Sequence, residues 1–437
     1  MTSHRILFGL LSPSLGGHTR TALAIANVLR DRGYTVDFLV RAAGRSSTGD
    51  PQSPPDSLIR AAGFKVVRVS GLYSWNPRSP FRRQLHALVS REPYAAIHWF
   101  EFHDGVRDAA LVAKAAGCAF LWTVTSGGVP VTYHGLNRVV VFTPEVARDV
   151  RRRSPGTAVH LLPARIDFEG QTAQARERAR ADVRQRLALA DTDLLVVRVA
   201  RCASVYLRSV TLGIALVRRL NRDGQAAAFL HAGYSQDPAV AAAIRRLVAE
   251  TNAEAGRTMA FSITDDVESG MPYVAAADVC IGSGRTAIEA IGLERPTFVA
   301  WGARYLGLVD AGNIHGMADT NFQGRHSETV ASDEDVVIDM ADALSRRRAN
   351  REAADSTQSA CGAFVRDRYS VQGAVDAYER LYADRTVVVE SAFRTFARPG
   401  YVAREIFYRL PTSLRQSGII RALGHPRSPA QRLDANI

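Results

Sequence analysis

Within the eight residues from Gly282 to Glu289, the sequence sets out the groups that can hold a diphosphate and a ribose. Gly282, Ser283 and Gly284 supply the permissive backbone of a sharp turn, behind the short apolar run Val279 to Ile281 that reads as a strand. From Arg285 and Thr286 onward, Ala287, Ile288, Ile291 and Leu293 recur at helical spacing, and Pro296 closes the segment. A helix that opens out of glycine and serine turns orphan N–H groups and the positive end of its dipole toward the loop, which suits a diphosphate. Glu289, one turn in, is placed to accept two sugar hydroxyls, as acidic residues do for ribose in nucleotide-binding α/β folds. The same residues also suit a plain strand-to-helix connection in which Glu289 is a solvated carboxylate. A second polar group, Glu101, His103 and Asp104, follows the strand Ala95 to Trp99. His103 with Asp104 or Glu101 is a candidate acid–base pair, and the adjacent positions do not converge on a metal ion.

The elements that carry these groups alternate along most of the chain. Arg5 to Leu10 reads as a buried strand, Ser12 to His18 as a loop containing Gly16 and Gly17, and a helix opens at Thr19. Ala22, Leu23, Ile25, Ala26 and Leu29 form its apolar face, Gly33 ends it, and Tyr34 to Val40 is the next strand, completing a βαβ unit. Thr143-Pro144-Glu145 gives an N-cap with proline at the first helical position. Leu194 to Val199 begins a second α/β series, and the charged helix Gln171 to Leu189 is placed at a crossing between domains. Residues 42–55 and 72–80 read as loops, the first beside an acceptor site and the second carrying Tyr73 and Trp75 for packing or for stacking on sugar.

A chain of 437 residues with 46% hydrophobic content can bury two ordinary cores. Cys118, Cys202, Cys280 and Cys361 are far apart and form no metal-ligand spacing, which fits a reducing compartment. The apolar run after Arg5 is too short for a signal sequence, and no stretch approaches the ~20 residues of a membrane span. Net charge is +12, and the tail from Arg385 to Ile437 holds nine arginines against three acids. Phe393, Phe396, Tyr401, Phe407 and Tyr408 interleave with those arginines, a pattern for an interfacial helix on anionic lipid or for a helix packed back on the first domain.

The segment from Val279 to Pro296 resembles the donor-site signature of GT-B glycosyltransferases, where a strand ends in a Gly/Ser loop and a helix carries a glutamate ahead of Gly-x-Pro. Glu294 stands where that glycine would be, and Ile281 stands at the first glutamate of the family 4 Glu-x7-Glu pair. The loop is therefore closer to the one-glutamate loop of the peptidoglycan N-acetylglucosaminyltransferase, and retaining chemistry is not carried over. Gly16-Gly17-His18 is similar to the GGxGGH loop of that enzyme, which implies His18 as the base that takes a proton from an acceptor hydroxyl. Its plainer role is a first-turn histidine bound to its own loop. Arg201, Arg208 and the helix to Leu220 resemble the strand–Arg–Lys–helix donor motif, with Arg208 in the place of the lysine. That implies two guanidiniums on the diphosphate, stabilising the leaving nucleotide, where the alternative is a pair of surface salt bridges. Ala95 to Trp99 resembles the family's Ile-His strand, although Phe100 and Ser126 stand where family 4 has further histidines. Pro163 and Asp167 match the end of the acceptor domain, with Ala164 and Arg165 replacing Asn and Gly.

The resemblance spans residues 5–382 and implies an α/β fold of two Rossmann-like domains facing a cleft. Residues 1–168 would bind the acceptor, 190–372 the donor, and 373–437 would form a crossing helix and basic tail. It implies a hexosyl- or N-acetylhexosaminyl-transferring enzyme with a UDP- or GDP-sugar as donor and a glycan or lipid-linked acceptor. The donor would meet Gly282, Ser283, Gly284, Arg285, Thr286 and Glu289; His18, Arg201 and Arg208 would be catalytic; Gly16, Gly17, His103 and Asp104 would lie on the acceptor side. No motif demands a metal or a resident cofactor, and the expected location is cytoplasmic, peripheral on an anionic inner membrane face. The alternatives are a GT-B nucleotide-sugar epimerase and a basic nucleic-acid-binding protein. Nucleic acid is the weaker partner, because the chain has no stacking platform or recognised RNA or DNA module.

Overall fold

The computed structural model of the chain describes residues 4–11, 16–41, 54–70, 80–100, 105–125, 135–235, 237–255, 261–264, 269–325 and 331–389. Of the expected loops at 42–55 and 72–80, residues 42–53 and 72–79 lie outside them, while Pro54 and Pro55 open one helix and Pro80 another; the group Glu101, His103 and Asp104, Ser126, and the tail beyond Val389 also lie outside. The chain forms two compact units, Met1–Pro163 with Ala374–Ile437, and Ala164–Gly373.

In the first unit the order is β1 (Arg5–Gly9), α1 (Gly17–Asp31), β2 (Thr35–Arg41), α2 (Pro54–Ala61), β3 (Lys65–Val69), α3 (Pro80–Arg91), β4 (Ala96–Trp99) and α4 (Val106–Ala116). β5 (Ala119–Val124), β6 (Arg138–Val141), α5 (Pro144–Arg153) and β7 (Ala158–Leu161) follow. The seven strands form one parallel sheet in the order β3-β2-β1-β4-β5-β6-β7. Its central strands read as unbroken apolar runs because helices cover both faces: every residue of β4 and β5 is buried. α1 ends in a left-handed glycine, Gly33 at φ 87°, and the Tyr34 N–H returns to the Leu29 carbonyl, so the chain turns sharply into β2.

The second unit continues with α6 (Ala173–Arg186), β8 (Leu194–Val199), α7 (Ser204–Arg222), β9 (Ala227–Ala232), α8 (Pro238–Ala255), β10 (Phe261–Thr264), α9 (Met271–Ala276), β11 (Val279–Gly282) and α10 (Arg285–Gly292). It closes with β12 (Thr297–Trp301), β13 (Arg304–Leu308), α11 (Ile314–Asp319), α12 (Asp333–Ala349) and α13 (Arg351–Tyr369). Its sheet runs β10-β9-β8-β11-β12-β13, parallel except for the antiparallel edge strand β13. The helix expected at a crossing between domains, α6, belongs inside this unit. Arg180 and Arg184 grip the two oxygens of Asp278 at 2.8 and 3.1 Å, and α6 packs on α9. All four cysteines are buried free thiols, and no described helix is long and apolar enough to cross a membrane.

After α13 the chain returns to the first unit as α14 (Val375–Ala383). The helix is pinned from inside by His98 of β4, which is fully buried. His98 Nδ1 lies 2.8 Å from the Tyr382 hydroxyl and Nε2 lies 2.7 Å from Thr123 Oγ1. Phe8, Phe100 and Tyr378 ring it, and burial holds its pKa well below the ordinary imidazole value. Beyond α14, Asn137 bonds the backbone at Thr386 and Val388, and Val389 bridges to Leu136.

His98→Leu keeps the volume but strands two buried hydroxyls, so it should destabilise the protein by ~2–4 kcal/mol in urea denaturation. His98 is neutral in the folded state while the unfolded imidazole titrates near ~6.5. Stability present above that pH is therefore lost as pH falls below it, and the variant should lack this histidine's share of the loss. Equal urea midpoints for wild type and variant would show that the contact holds nothing.

Candidate functional site

Where a parallel sheet reverses its strand order, the loops at the two neighbouring strand ends diverge and leave a crevice that ligands occupy. In the second unit this point falls between β8 and β11. β11 ends at Gly282, and a Cβ there would stand 3.1 Å from the Ala287 nitrogen, so the loop folds tightly onto α10. Gly284 is the N-cap of α10 at φ 55°, ψ −131°, a conformation that essentially only glycine adopts, and its N–H donates to the Phe322 carbonyl at 3.0 Å. No side chain caps this helix and its first turn holds no acidic residue, so the positive dipole end has no carboxylate of its own. Thr286 Oγ1 donates to the carbonyl of Val199, the last residue of β8, at 3.1 Å. The helix terminus is thereby tied to the strand whose next residues are Ala200 and Arg201.

The polar side chains of this loop are engaged with one another. Arg285 Nε donates to Glu289 Oε1 at 2.7 Å, and its Nη1 donates to the Arg165 carbonyl at 2.9 Å. Glu289, 7% exposed, is thus a fixed carboxylate rather than a solvated one. Arg201 follows β8, partly buried, with its guanidinium carbon 5.7 Å from the centroid of the Tyr206 ring. The loop after β9 presses on the same place: a Cβ on Gly233 would meet the Ala200 oxygen at 1.8 Å. Arg208 departs from expectation. Its guanidinium donates to Asp333 Oδ1 at 2.7 Å, to the Ala331 carbonyl at 2.7 Å and to the Ala303 carbonyl, so it ties α7 to the start of α12 instead of standing open to a diphosphate.

Asn321 and Phe322, at φ 56° and 55°, take two consecutive left-handed conformations after α11. Phe322 is fully buried and its carbonyl is the acceptor that seats Gly284, which gives the segment Asn321 to Arg325 a place at this loop. Glu294 is left-handed too, at φ 59°. It occupies the position after the α10 C-cap where glycine is favoured, and Arg366 holds its carboxylate at 2.8 Å.

In the first unit the order reverses between β1 and β4. α1 starts at Gly17, not Thr19, so His18 sits in its first turn and Gly16 is its N-cap. The strand that precedes His103 and Asp104 is therefore the direct neighbour of the strand that precedes His18. Sequence reasoning missed what floors this point: Trp99, fully buried, at whose ring atoms a Cβ on Gly9 or on Gly105 would collide, at 2.1 and 2.8 Å. Two glycines at strand and helix ends were the available signal. It also missed Asp108 in the first turn of α4, 6% exposed, with Oδ2 lacking a hydrogen-bond partner and its carboxyl pushed up to about 6 by burial. A separate cavity of about 350 Å³ is lined by Arg138, His160, Arg380 and Asp384; it belongs to β6, β7 and α14 rather than to the loops after β1 and β4.

No protein-family model matches the sequence, and no curated protein sequence matches it. In three dimensions the chain is similar to a glycosyltransferase from Rickettsia africae, with a TM-score of 0.62 and 12% identity over 88% of this chain and 99% of that one. It is also similar to HepE of Anabaena, solved in complex with UDP-glucose, at a TM-score of 0.60 and 13% identity over 86% and 98% of the two chains. A UDP-GlcNAc 2-epimerase from Neisseria meningitidis follows at a TM-score of 0.51 and 10% identity, over 86% and 98%. Likeness at these identities is likeness of fold, and the fold is that of the GT-B glycosyltransferases, two Rossmann-like units in one polypeptide.

Proposed function

We propose that this protein is a glycosyltransferase that moves a sugar from a nucleotide diphosphate to an acceptor hydroxyl. The observation that carries the reading is the uncapped N-terminus of α10, reached through Gly284 and tied by Thr286 to the end of β8, at the strand reversal of the second unit. Backbone N–H groups and a positive dipole end there suit the diphosphate, and Arg201 supplies a guanidinium for the charge that grows on the leaving nucleotide as the glycosidic bond breaks. Glu289 accepts from the ribose hydroxyls, with Arg285 as the residue that orients its carboxylate. His18, in the first turn of α1, serves the acceptor side as general base. Similarity to HepE, whose structure holds UDP-glucose, supports a UDP-sugar donor of the hexosyl class. Similarity to the epimerase keeps a second reading, in which the sugar is rearranged without an acceptor.

Isothermal titration with UDP, GDP, ADP and dTDP should find one nucleoside diphosphate that binds, and Glu289→Gln should weaken it about 10- to 100-fold, the loss of a charge-assisted acceptor worth ~1.5–3 kcal/mol. A wild-type protein that binds none of the four overturns the donor site; a variant that binds as wild type removes Glu289 from it. With the donor identified, product should form only when an acceptor is added, whereas donor converted to its epimer in the absence of acceptor would favour the second reading.

His18→Ala should lower transfer by ~10²–10⁴-fold while donor affinity stays unchanged. Transfer within tenfold of wild type would exclude His18 as the base.

A further inference from the structure

Arg198 lies near the end of β8, in register with Ile281 of β11 on one side and His231 of β9 on the other, and is 1% exposed. Buried guanidiniums are ordinarily matched by a carboxylate. This one has none: Nε donates to Ser209 Oγ at 2.8 Å, Nη1 donates to the Val199 carbonyl, and Nη2 has no hydrogen-bond partner. Burial lowers its pKa only to about 10, so it stays charged near neutral pH, while His231 beside it is pushed down to about 3 by burial and by Arg198 and stays neutral.

The ring of Tyr206, in the first turn of α7, links this charge to the surface. Its centroid is 5.2 Å from the Arg198 guanidinium carbon and 5.7 Å from that of Arg201. Both contacts are cation–π attractions, yet the two cations that share the ring repel each other. Among the described residues no carboxylate pairs with either of them. A charge that is neither solvated nor paired acts over a longer distance than one in water. Its field here falls on the loop Ala200 to Cys202, directly above the strand end.

We propose that the buried Arg198 and the half-buried Tyr206 form a cationic floor beneath the end of β8, in which the ring holds Arg201 in place and the charge draws the diphosphate of the ligand to it. The inference rests on the reading of this strand end as a diphosphate site and assigns it two positioning residues. The floor recognises charge on phosphate, so it is blind to the base and to the sugar. A scaffolding role through Ser209 alone would need the size of Arg198 and not its charge.

The test compares UDP, uridine and inorganic pyrophosphate by isothermal titration, with GDP and guanosine, or the matching pair, if the base proves different. Arg198→Met keeps the bulk and removes the charge; it should leave the melting temperature equal or higher and weaken the diphosphates at least tenfold while nucleoside affinity stays within twofold. Tyr206→Leu should weaken the diphosphates about tenfold and Tyr206→Phe, which keeps the ring, by no more than threefold. Arg198→Met and Tyr206→Leu proteins that are folded and bind diphosphates as wild type does would overturn the floor and leave the donor site standing. Equal losses for nucleoside and diphosphate would also overturn it. A wild type that binds neither nucleoside diphosphate nor pyrophosphate overturns the site and the floor together.

Discussion

Two parallel ladders between strands that are not consecutive in the chain, β1 with β4 and β8 with β11, set where the strand order of each sheet reverses, and the proposed sites depend on them. A crossover that adds the next strand on one side, followed by one that jumps to the other side, forces the two helices after the central strands onto opposite faces of the sheet. At such a reversal the loops that lead into the helices generally part. All four helices that follow these central strands, α1, α4, α7 and α10, start without a side-chain cap. The close approaches that let the chain turn there fall on glycines, at Gly9 and Gly105 against Trp99 and at Gly233 against Ala200. In the proposed function the polar groups come second to a backbone geometry that withholds its own caps.

Local features of this arrangement were legible in the sequence and remote ones were not. The turn at Gly282 to Gly284 and the helix after it follow from residue types within a few positions, and so does the Thr143 cap, whose hydroxyl accepts the Val146 N–H at 3.3 Å. The spacing of Arg285 and Glu289, four apart on a helix, already contained their ion pair, although each invites a separate ligand role. For Arg208 the salt-bridge alternative is the one the structure shows, but its partners at Ala303, Ala331 and Asp333 are brought together only by the packing of α7 on α12. The same holds for α6: its run of Arg, Ala and Glu describes a solvated helix, and only Asp278 reveals which unit it joins. Glu294 takes the left-handed conformation after the α10 C-cap that glycine adopts most easily, and only the structure reveals this.

Several described arginines outside the tail, beyond their ion pairs, meet backbone carbonyls. Arg30 reaches Ala62 after α2, Arg165 reaches Arg368 and Ser370 at the end of α13, Arg295 reaches Ala275 in α9, and Arg366 reaches Gly292 at the end of α10. These are carbonyls that helix ends leave open, and a planar fork with five donors meets them better than an ammonium would. A chain that uses its cations this way accumulates positive charge without matching acids. The part of the net charge that lies outside the tail from Arg385 is to that extent a by-product of architecture and a poor guide to partners.

The contact between His98 and Tyr382 joins residues 284 positions apart, and the entire second unit is encoded between them. Topologically the second unit is an insertion within the first. During synthesis the seven-stranded sheet is complete when β7 emerges, but the helix that seals its buried histidine arrives only after the whole inserted unit has been made. Until then the imidazole lacks the Tyr382 hydroxyl that it buries in the finished protein, and the face that α14 will cover stays open. The first unit to begin folding is in this way the last to be finished, and a ribosome that stalls anywhere in the second unit leaves the first unsealed.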